Sequence, residues 1–467
     1  MRLDYLYARA ASGCLVAVYL CQAWHVIFGA PWMGFITTPL LVAFFVLEWR
    51  RITSTARILI GFAAGLLVVL PLMRLVDFDT VLAAANRGAY LAFFLAALGL
   101  LQDVAATSPL IRLCGEVVVN QPPGRRYSVL TIGGGLLGVL LSLGSISLLG
   151  TMIARGVDAT RAKTEERISE IRLRRMTLAM VRGFASVPMW SPTTITMAII
   201  LSGLPEVTWP SLLPAGLAGT ALFLSLGWLV DRLTYPRPTV RRTSDGSEPP
   251  LRALLPLIFL VVLIPGLAFI ASELLSLTIT SGLLVIIPFI ALSWLTLQQR
   301  GEGMDDPFAA ALRRVTGRSL PSLANMRSEV AIFVAAGLIA VLVAPLIDAE
   351  ALGQAIAEAG LGSGWVLTIT FWIMLVVSIF GINPIVSASI ATEVLPHLPN
   401  IPMDQFMIAF AITAGWAVTV GAAPFSASVR LASRSIEREA GDIAYRWNGL
   451  FTIVTTVLLT AFLLIFA

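Results

Sequence analysis

Two apolar stretches decide the fold of this chain: Val129–Thr151, VLTIGGGLLGVLLSLGSISLLGT, and Val366–Ala388, VLTITFWIMLVVSIFGINPIVSA. They align without a gap, both begin with VLTI, and Gly144 falls opposite Gly381. Each is interrupted at its middle by small and polar residues, which an unbroken membrane helix does not need. A re-entrant hairpin does need them, because its turn leaves helix-end amides and carbonyls free to hold a solute. The pair predicts a secondary transporter built from repeats, with its site between the two tips.

Composition places the whole chain in the membrane. Hydrophobic residues make up 57% of the 467 residues and charged residues only 13%, which excludes an ordinary soluble protein. The sequence predicts an all-α polytopic membrane protein with about 11 transmembrane helices and two re-entrant hairpins in inverted repeats. The spans lie near residues 11–29, 33–49, 58–76, 81–102, 177–201, 211–231, 253–272, 276–297, 328–347, 405–430 and 449–467.

Arginines mark one face of the membrane. They fill the connections 50–57, 112–126, 155–182, 232–252, 300–327 and 430–446. The positive-inside rule puts these loops and the N-terminus in the cytoplasm of a bacterial inner membrane, and the C-terminus outside. Arg74 and Arg87 are exceptions near the outer ends of their spans, where snorkelling is the simplest interpretation. The first hairpin then enters from the cytoplasm and the second from outside, so the repeats are inverted.

The repeat continues beyond the hairpins. Ser186–Ala198 (SVPMWSPTTITMA) and Val418–Leu431 (VTVGAAPFSASVRL) both carry proline and hydroxyl residues in mid-span, with Pro192 opposite Pro424. Proline removes a backbone donor and breaks the helix, which frees carbonyls that a neighbour or a ligand must satisfy. We expect a first repeat over 1–235 with its hairpin at 127–154, a cytoplasmic linker over 236–250, and a second repeat over 251–467 with its hairpin at 365–392. Two short segments, 108–119 and 349–360, each precede a hairpin and are predicted to be interfacial arms.

Four polar breaks form the candidate site. Helix N-termini there offer N–H groups and partial positive charge to a small anionic substrate, and free carbonyls and hydroxyls offer oxygen ligands to Na⁺. Close helix packing and ordinary proline kinks are the alternative explanation of any single break. We expect no cofactor other than Na⁺ as a coupling ion, with its site near Ser145, Ser147 and Asn383; H⁺ is the alternative coupling ion. The candidate binding residues are Gly144, Ser145, Ser147, Ser191, Pro192, Thr193, Thr194, Gly381, Asn383, Pro384, Thr419, Gly421, Pro424 and Ser426.

This architecture resembles the ion transporter superfamily, and is similar to its divalent-anion/sodium symporter and citrate-transporter branches. The resemblance covers nearly the whole chain and implies a homodimer, in which a moving transport domain works as an elevator against a scaffold. It also implies a carboxylate substrate held by the hairpin tips and flanked by sodium sites. The Ser-Asn-Thr signature of that family reads here Ser145-Ile146-Ser147 and Ile382-Asn383-Pro384, so Asn383 alone keeps the amide.

The sequence best supports secondary active transport of a small, carboxylate-like organic anion, coupled to Na⁺ or H⁺. A cation/proton antiporter on the same scaffold is the alternative. Such proteins use buried carboxylates, and the predicted hairpins and broken spans contain no Asp or Glu, which favours the anion. A membrane-embedded enzyme ranks lower, because the chain has two histidines and no clustered catalytic or metal-binding residues. We therefore expect no enzymatic activity, no nucleic-acid partner, and membrane lipid as the surrounding medium.

Overall fold

The computed structural model describes residues 2–161, 165–235 and 249–467, and these residues form helices joined by short turns, without a strand. The all-α fold is confirmed. The helices are α1 (Arg2–Phe28), α2 (Gly34–Glu48), α3 (Ser54–Leu72), α4 (Phe78–Ala106), α5 (Pro109–Val119), α6 (Pro123–Leu141), α7 (Leu143–Arg161), α8 (Glu166–Ala185), α9 (Ile195–Gly203), α10 (Trp209–Thr234), α11 (Leu255–Leu275), α12 (Ile279–Gly301), α13 (Pro307–Arg314), α14 (Leu320–Ser322), α15 (Arg327–Val343), α16 (Ala349–Glu358), α17 (Ser363–Ile379), α18 (Pro384–Val394), α19 (Gln405–Ala422), α20 (Ala427–Ile436) and α21 (Gly449–Phe466).

The number of spans differs from the sequence-based expectation. Within the described residues, nine helical stretches are long and apolar enough to cross a membrane, and a tenth arises if α16 and α17 count as one. The span expected at 33–49 is the 15-residue α2, shorter than the roughly 20 residues that cross a bilayer. The span expected at 177–201 is divided between α8 and α9. Residues 236–248 of the expected linker lie outside the described residues.

The helices form two groups, each around one apolar core, and α4 contributes residues to both cores. The first, here called the N-terminal bundle, consists of α1, α2, α3, α4 and α15, which enclose one apolar core. The buried Glu48 of α2 ties this bundle together, because its Oε2 accepts a bond from Arg327 at the start of α15 at 2.8 Å. Pairing satisfies a carboxylate that would otherwise be very costly to bury.

The second group, here called the hairpin bundle, consists of α6 to α9 and α17 to α20, and encloses the larger apolar core. α10 and α21 pack on this group, against α8, α17 and α19. Helices α6 and α8 approach so closely that a side chain at Gly183 would overlap the Thr131 carbonyl, so this position requires glycine. The two expected arms are the helices α5 and α16, and α16 makes an angle of 113° with α17.

Candidate functional site

The first hairpin tip falls at Ser142, two residues before the predicted tip at Gly144. Ser142 has φ +49°, and its carbonyl accepts bonds from both the backbone N and the Oγ of Ser145, at 3.0 and 2.7 Å. These two bonds close the turn early and let α7 begin at Leu143. Gly144, Ser145 and Ser147 consequently lie in the first turns of α7, with Ser145 fully buried and Gly144 exposed.

The second tip is where the sequence predicts it, at residues 380–383 between α17 and α18. Gly381 has φ +89°, a conformation that favours glycine. Asn383 caps α18, since its Oδ1 accepts the Ile385 N–H at 3.0 Å, and Pro384 occupies the first helical position. Gly381 and Asn383 are both exposed. A Cβ on Gly381 would lie 3.4 Å from the ring of Phe425, so this tip lies beside the second broken span.

The first broken span is interrupted between α8 and α9, around the buried Pro192. The hydroxyls of Ser191 and Thr193 are 2.9 Å apart, and Thr193 Oγ1 donates to the Val139 carbonyl of α6 at 3.0 Å. That bond joins the break to the first hairpin, three residues before its tip. Thr194 donates to the Ser191 carbonyl at 3.0 Å and caps α9 by accepting from the Met197 N–H at 3.4 Å.

The second broken span is interrupted between α19 and α20, beside the buried Pro424. The hydroxyls of Ser426 and Ser428 both donate to the Val420 carbonyl, at 2.9 and 2.8 Å, and Ser426 also caps α20. The carbonyl of Gly421 accepts from Asn448 Nδ2 at 3.1 Å. Thr419, expected at the site, donates to the Trp416 carbonyl one turn earlier.

Several backbone carbonyls at the breaks, which the sequence predicts to be free for a ligand, therefore accept hydrogen bonds from the protein's own side chains. A hydroxyl that donates its hydrogen to a carbonyl keeps its lone pairs. The buried hydroxyls at these breaks can accordingly accept bonds or bind a cation, and they are poor donors to an anion. At the second tip, the side-chain amide nitrogen of the exposed Asn383 remains a donor, because its Oδ1 is used by the cap.

Within the hairpin bundle, helices from the first half of the chain pack against helices from the second half. The second helix of the first hairpin, α7, packs against α20 of the second broken span, and α18 packs against α9 of the first. A Cβ on Gly150 would meet Ser435, and one on Gly203 would meet Thr392, which locates both contacts. The bundle thus contains all four breaks. Within the described part of the chain no hydrogen bond joins Ser145 or Ser147 to Asn383, so the tips are neighbours of their own broken spans and not bonded to each other.

Arg182 is a buried residue that the sequence analysis counted among loop charges. Only 2% of it is exposed, and it lies in the last turn of α8, immediately before the first break. Its Nη1 donates to Tyr127 Oη at 2.8 Å and to the Gly227 carbonyl at 3.0 Å, and its guanidinium lies 4.3 Å from the centroid of the Phe451 ring. These partners come from α6, α10 and α21, so no local sequence signal could have identified them.

Arg87 and Glu393 form an ion pair that the sequence analysis missed. Arg87 Nη2 of α4 lies 2.9 Å from Glu393 Oε1 of α18, and the two side chains are 10% and 25% exposed. The interpretation of Arg87 as a snorkelling residue is wrong. The partners are 306 residues apart in the chain, which is why the sequence suggested no pairing. The pair connects the N-terminal bundle to the second hairpin.

Comparison with known proteins supports the fold. No protein-family model and no curated protein sequence matches this chain. The solved structure of the YdaH transporter of Alcanivorax borkumensis matches with a TM-score of 0.50 and 14% identity, over 87% of this chain and 96% of that one. MtrF of Neisseria gonorrhoeae, which represents a class of antimetabolite efflux pumps, matches with a TM-score of 0.51 and 14% identity, over 80% of each chain. The chain has the polytopic fold of membrane transporters. At this identity the likeness extends to the fold and not to the substrate.

Proposed function

We propose that this protein is a secondary active transporter that binds a small organic solute beside the two hairpin tips. The observation that carries the proposal is the repeated arrangement of tip and break: Thr193 bonds to the first hairpin, and Phe425 lies against the second tip. Two interrupted helices beside two interrupted hairpins place several helix ends inside one apolar bundle. Such helix ends are where transporters hold solutes and ions.

A carboxylate-like anion coupled to Na⁺ or H⁺ is the proposed cargo. The exposed amide of Asn383 supplies a donor for a carboxylate oxygen. The hydroxyls of Ser191, Thr193 and Ser426 supply oxygen ligands of the kind that Na⁺ takes. In this arrangement, the cation neutralises the anion as both enter the low-dielectric interior, where an unpaired charge is costly.

An elevator movement of the hairpin bundle against the N-terminal bundle is the proposed mechanism. Helices α10 and α21 pack on the hairpin bundle. We therefore assign them to the moving body. Helices α1 to α4, α12 and α15 form the proposed scaffold. A homodimer held through such a scaffold would leave each hairpin bundle free to move.

Export by exchange against protons is the second candidate. Glu393 lies one residue beyond the predicted end of the second hairpin, but the structure places it on the hairpin helix α18, and its partner Arg87 belongs to the proposed scaffold. This pair links a carboxylate of the proposed moving body to an arginine of the proposed scaffold. The overall fold shared with an efflux pump makes the outward direction worth testing.

Transport measurements with the purified chain in proteoliposomes test the proposal. Radiolabelled dicarboxylates, sulfonates and phosphonates are offered under an inward Na⁺ gradient, an inward proton gradient, or neither. Cation-dependent uptake of one class that is reduced at least tenfold in Asn383→Ala and unchanged in Thr316→Ala is the expected result. Thr316 is an exposed hydroxyl residue far along the chain from the tips. Absence of gradient-driven movement of any offered anion in either direction would contradict the anion proposal.

A further inference from the structure

An arginine cluster lies where α6 begins, α8 passes and α10 ends. It comprises Arg126, Arg174, Arg175, Asp231 and Tyr235. Arg175 binds Asp231 through two bonds, from Nε at 2.9 Å and from Nη2 at 2.6 Å. The guanidinium carbons of Arg174 and Arg175 lie 5.5 and 5.4 Å from the centroid of the Tyr235 ring. Both cations therefore lie against one aromatic ring.

Positive charge exceeds negative charge in this cluster. The two bonds from Arg175 occupy Asp231, whereas Arg126 and Arg174 donate to neutral backbone carbonyls, those of Gln121 and Arg446, at 2.7 and 3.2 Å. Arg126, which precedes the apolar residues of the first hairpin, has its pKa lowered to about 10 by burial and by the nearby charges of Arg172 and Arg175. The closest carboxylate along α8, Glu170, binds Arg438 at 2.7 Å. Like charges held this close favour the arrival of an anion.

Two donors of the cluster find no acceptor within the described part of the chain. The Nε of Arg174 and the Oη of Tyr235 are both buried and make no hydrogen bond. Burial raises the pKa of Tyr235, so its hydroxyl keeps its hydrogen. An unsatisfied buried donor is costly, and an anion with several oxygens could accept from both groups.

The neighbouring surface of α10 indicates where such an anion would come from. Trp228, Leu229 and Leu233 are 42%, 45% and 75% exposed on the last turns of this spanning helix. Arg232 lies 5.3 Å from the centroid of the Trp228 ring. Trp and Arg at the end of an apolar helix mark the level of the lipid headgroups. An acyl chain along Leu229 and Leu233 would bring a headgroup to Tyr235.

We propose that the arginine cluster binds the phosphate of an anionic phospholipid, with Arg174 and Tyr235 donating to its oxygens and Arg126 and Arg175 supplying the charge. Basic sites between membrane helices recognise anionic headgroups in this manner. The site is separate from the hairpin tips, and the inference does not depend on what the protein transports.

Thermal unfolding of the purified full-length protein tests the proposal. Phosphatidylglycerol, phosphatidylcholine of the same acyl composition, and inorganic phosphate with glycerol phosphate are added in separate arms. A ligand of the folded state raises the unfolding temperature. We expect a rise with phosphatidylglycerol alone, and loss of at least half of it in Arg174→Gln and in Tyr235→Phe. Arg318→Gln, which removes an exposed arginine elsewhere, should retain the rise.

Three outcomes would overturn the inference. Equal rises with both lipids would show that headgroup charge is not recognised, and an equal rise with soluble phosphate would show that the lipid is not needed. An undiminished rise in Tyr235→Phe would also reject the site. That variant removes one hydroxyl without a partner, so it keeps the test decisive even if Arg174→Gln does not fold.

Discussion

Arg182 donates through Nε to Asn448 Oδ1 at 3.0 Å, and Asn448 passes the interaction on by donating to the Gly421 carbonyl at 3.1 Å. The Gly421 carbonyl is in the last turn of α19, where backbone acceptors lack helical partners. A buried cation behind that helix C-terminus also complements the helix dipole. Arg182, which lies just before the break in the first broken span, is thus connected through Asn448 to the helix end at the break in the second broken span.

Replacing Arg182 should destabilise the protein strongly. Arg182→Met keeps much of the side-chain volume but leaves Asn448, Tyr127 and the Gly227 carbonyl without their partner. We expect a loss of about 3–5 kcal/mol, the usual cost of breaking a buried charged network. Thermal or denaturant unfolding in detergent measures this loss. Arg318→Met, at an exposed position, is the control, and a loss below about 1 kcal/mol in Arg182→Met would contradict the network's structural importance.

Two substitutions of Asn383 can distinguish its role as the cap of α18 from its proposed role in binding the solute. Asn383→Ala removes both the cap of α18 and the side-chain amide, whereas Asn383→Ser keeps a capping oxygen and removes only the amide. We expect Asn383→Ala to cost about 1 kcal/mol of stability and Asn383→Ser much less. If the amide donates to the solute, both variants should lose binding alike, as measured by uptake kinetics. Normal uptake by the serine variant would assign Asn383 to capping alone.

The Arg87–Glu393 pair should show energetic coupling. Because both side chains are largely buried, each single change, Arg87→Gln or Glu393→Gln, should destabilise the protein by about 1–3 kcal/mol. The double variant should lose less than the sum, with an interaction energy of about 1 kcal/mol or more. The measurement is a double-mutant cycle, in which the free energy of unfolding is compared for the unaltered protein, the two single variants and the double variant at equal detergent concentration. If the two losses of stability simply added, Arg87 and Glu393 would stabilise the protein only through contacts with other residues and not through each other.

Membrane orientation remains a prediction that accessibility can check. In a background without Cys14, Cys21 and Cys114, His397→Cys should react with an impermeant thiol reagent in intact cells, because His397 is exposed and expected outside. Thr316→Cys, at an exposed position in an Arg-rich segment, should react only after the membrane is opened. Reaction in the opposite order would invert the assigned orientation and the entry side of each hairpin.

The sequence predicted those features that depend on local backbone chemistry. Pro192, Pro424 and Gly381 favour breaks through their backbone chemistry, and all three lie at breaks in the structure. The predicted position of the first tip was wrong by two residues. Gly144 suggested a turn there, whereas the turn forms at Ser142, whose carbonyl accepts two bonds from Ser145. The sequence analysis missed Arg182 and the Arg87–Glu393 pair for another reason. Their partners lie on distant helices, and only tertiary packing distinguishes a buried arginine from one in a loop.

The elevator proposal makes the final prediction, which concerns two cross-links. Arg87→Cys and Glu393→Cys, joined by a short bifunctional thiol reagent, would connect the N-terminal bundle to the second hairpin. Because the proposed movement separates these bodies, this link should abolish transport and be reversed by cleaving the reagent. Gly150→Cys and Ser435→Cys provide the matched control, since both belong to the hairpin bundle and their side chains would touch. That second link should leave transport intact. Full activity with the first link in place would replace the elevator with a local opening of the tips, because the two bodies would then work without moving apart.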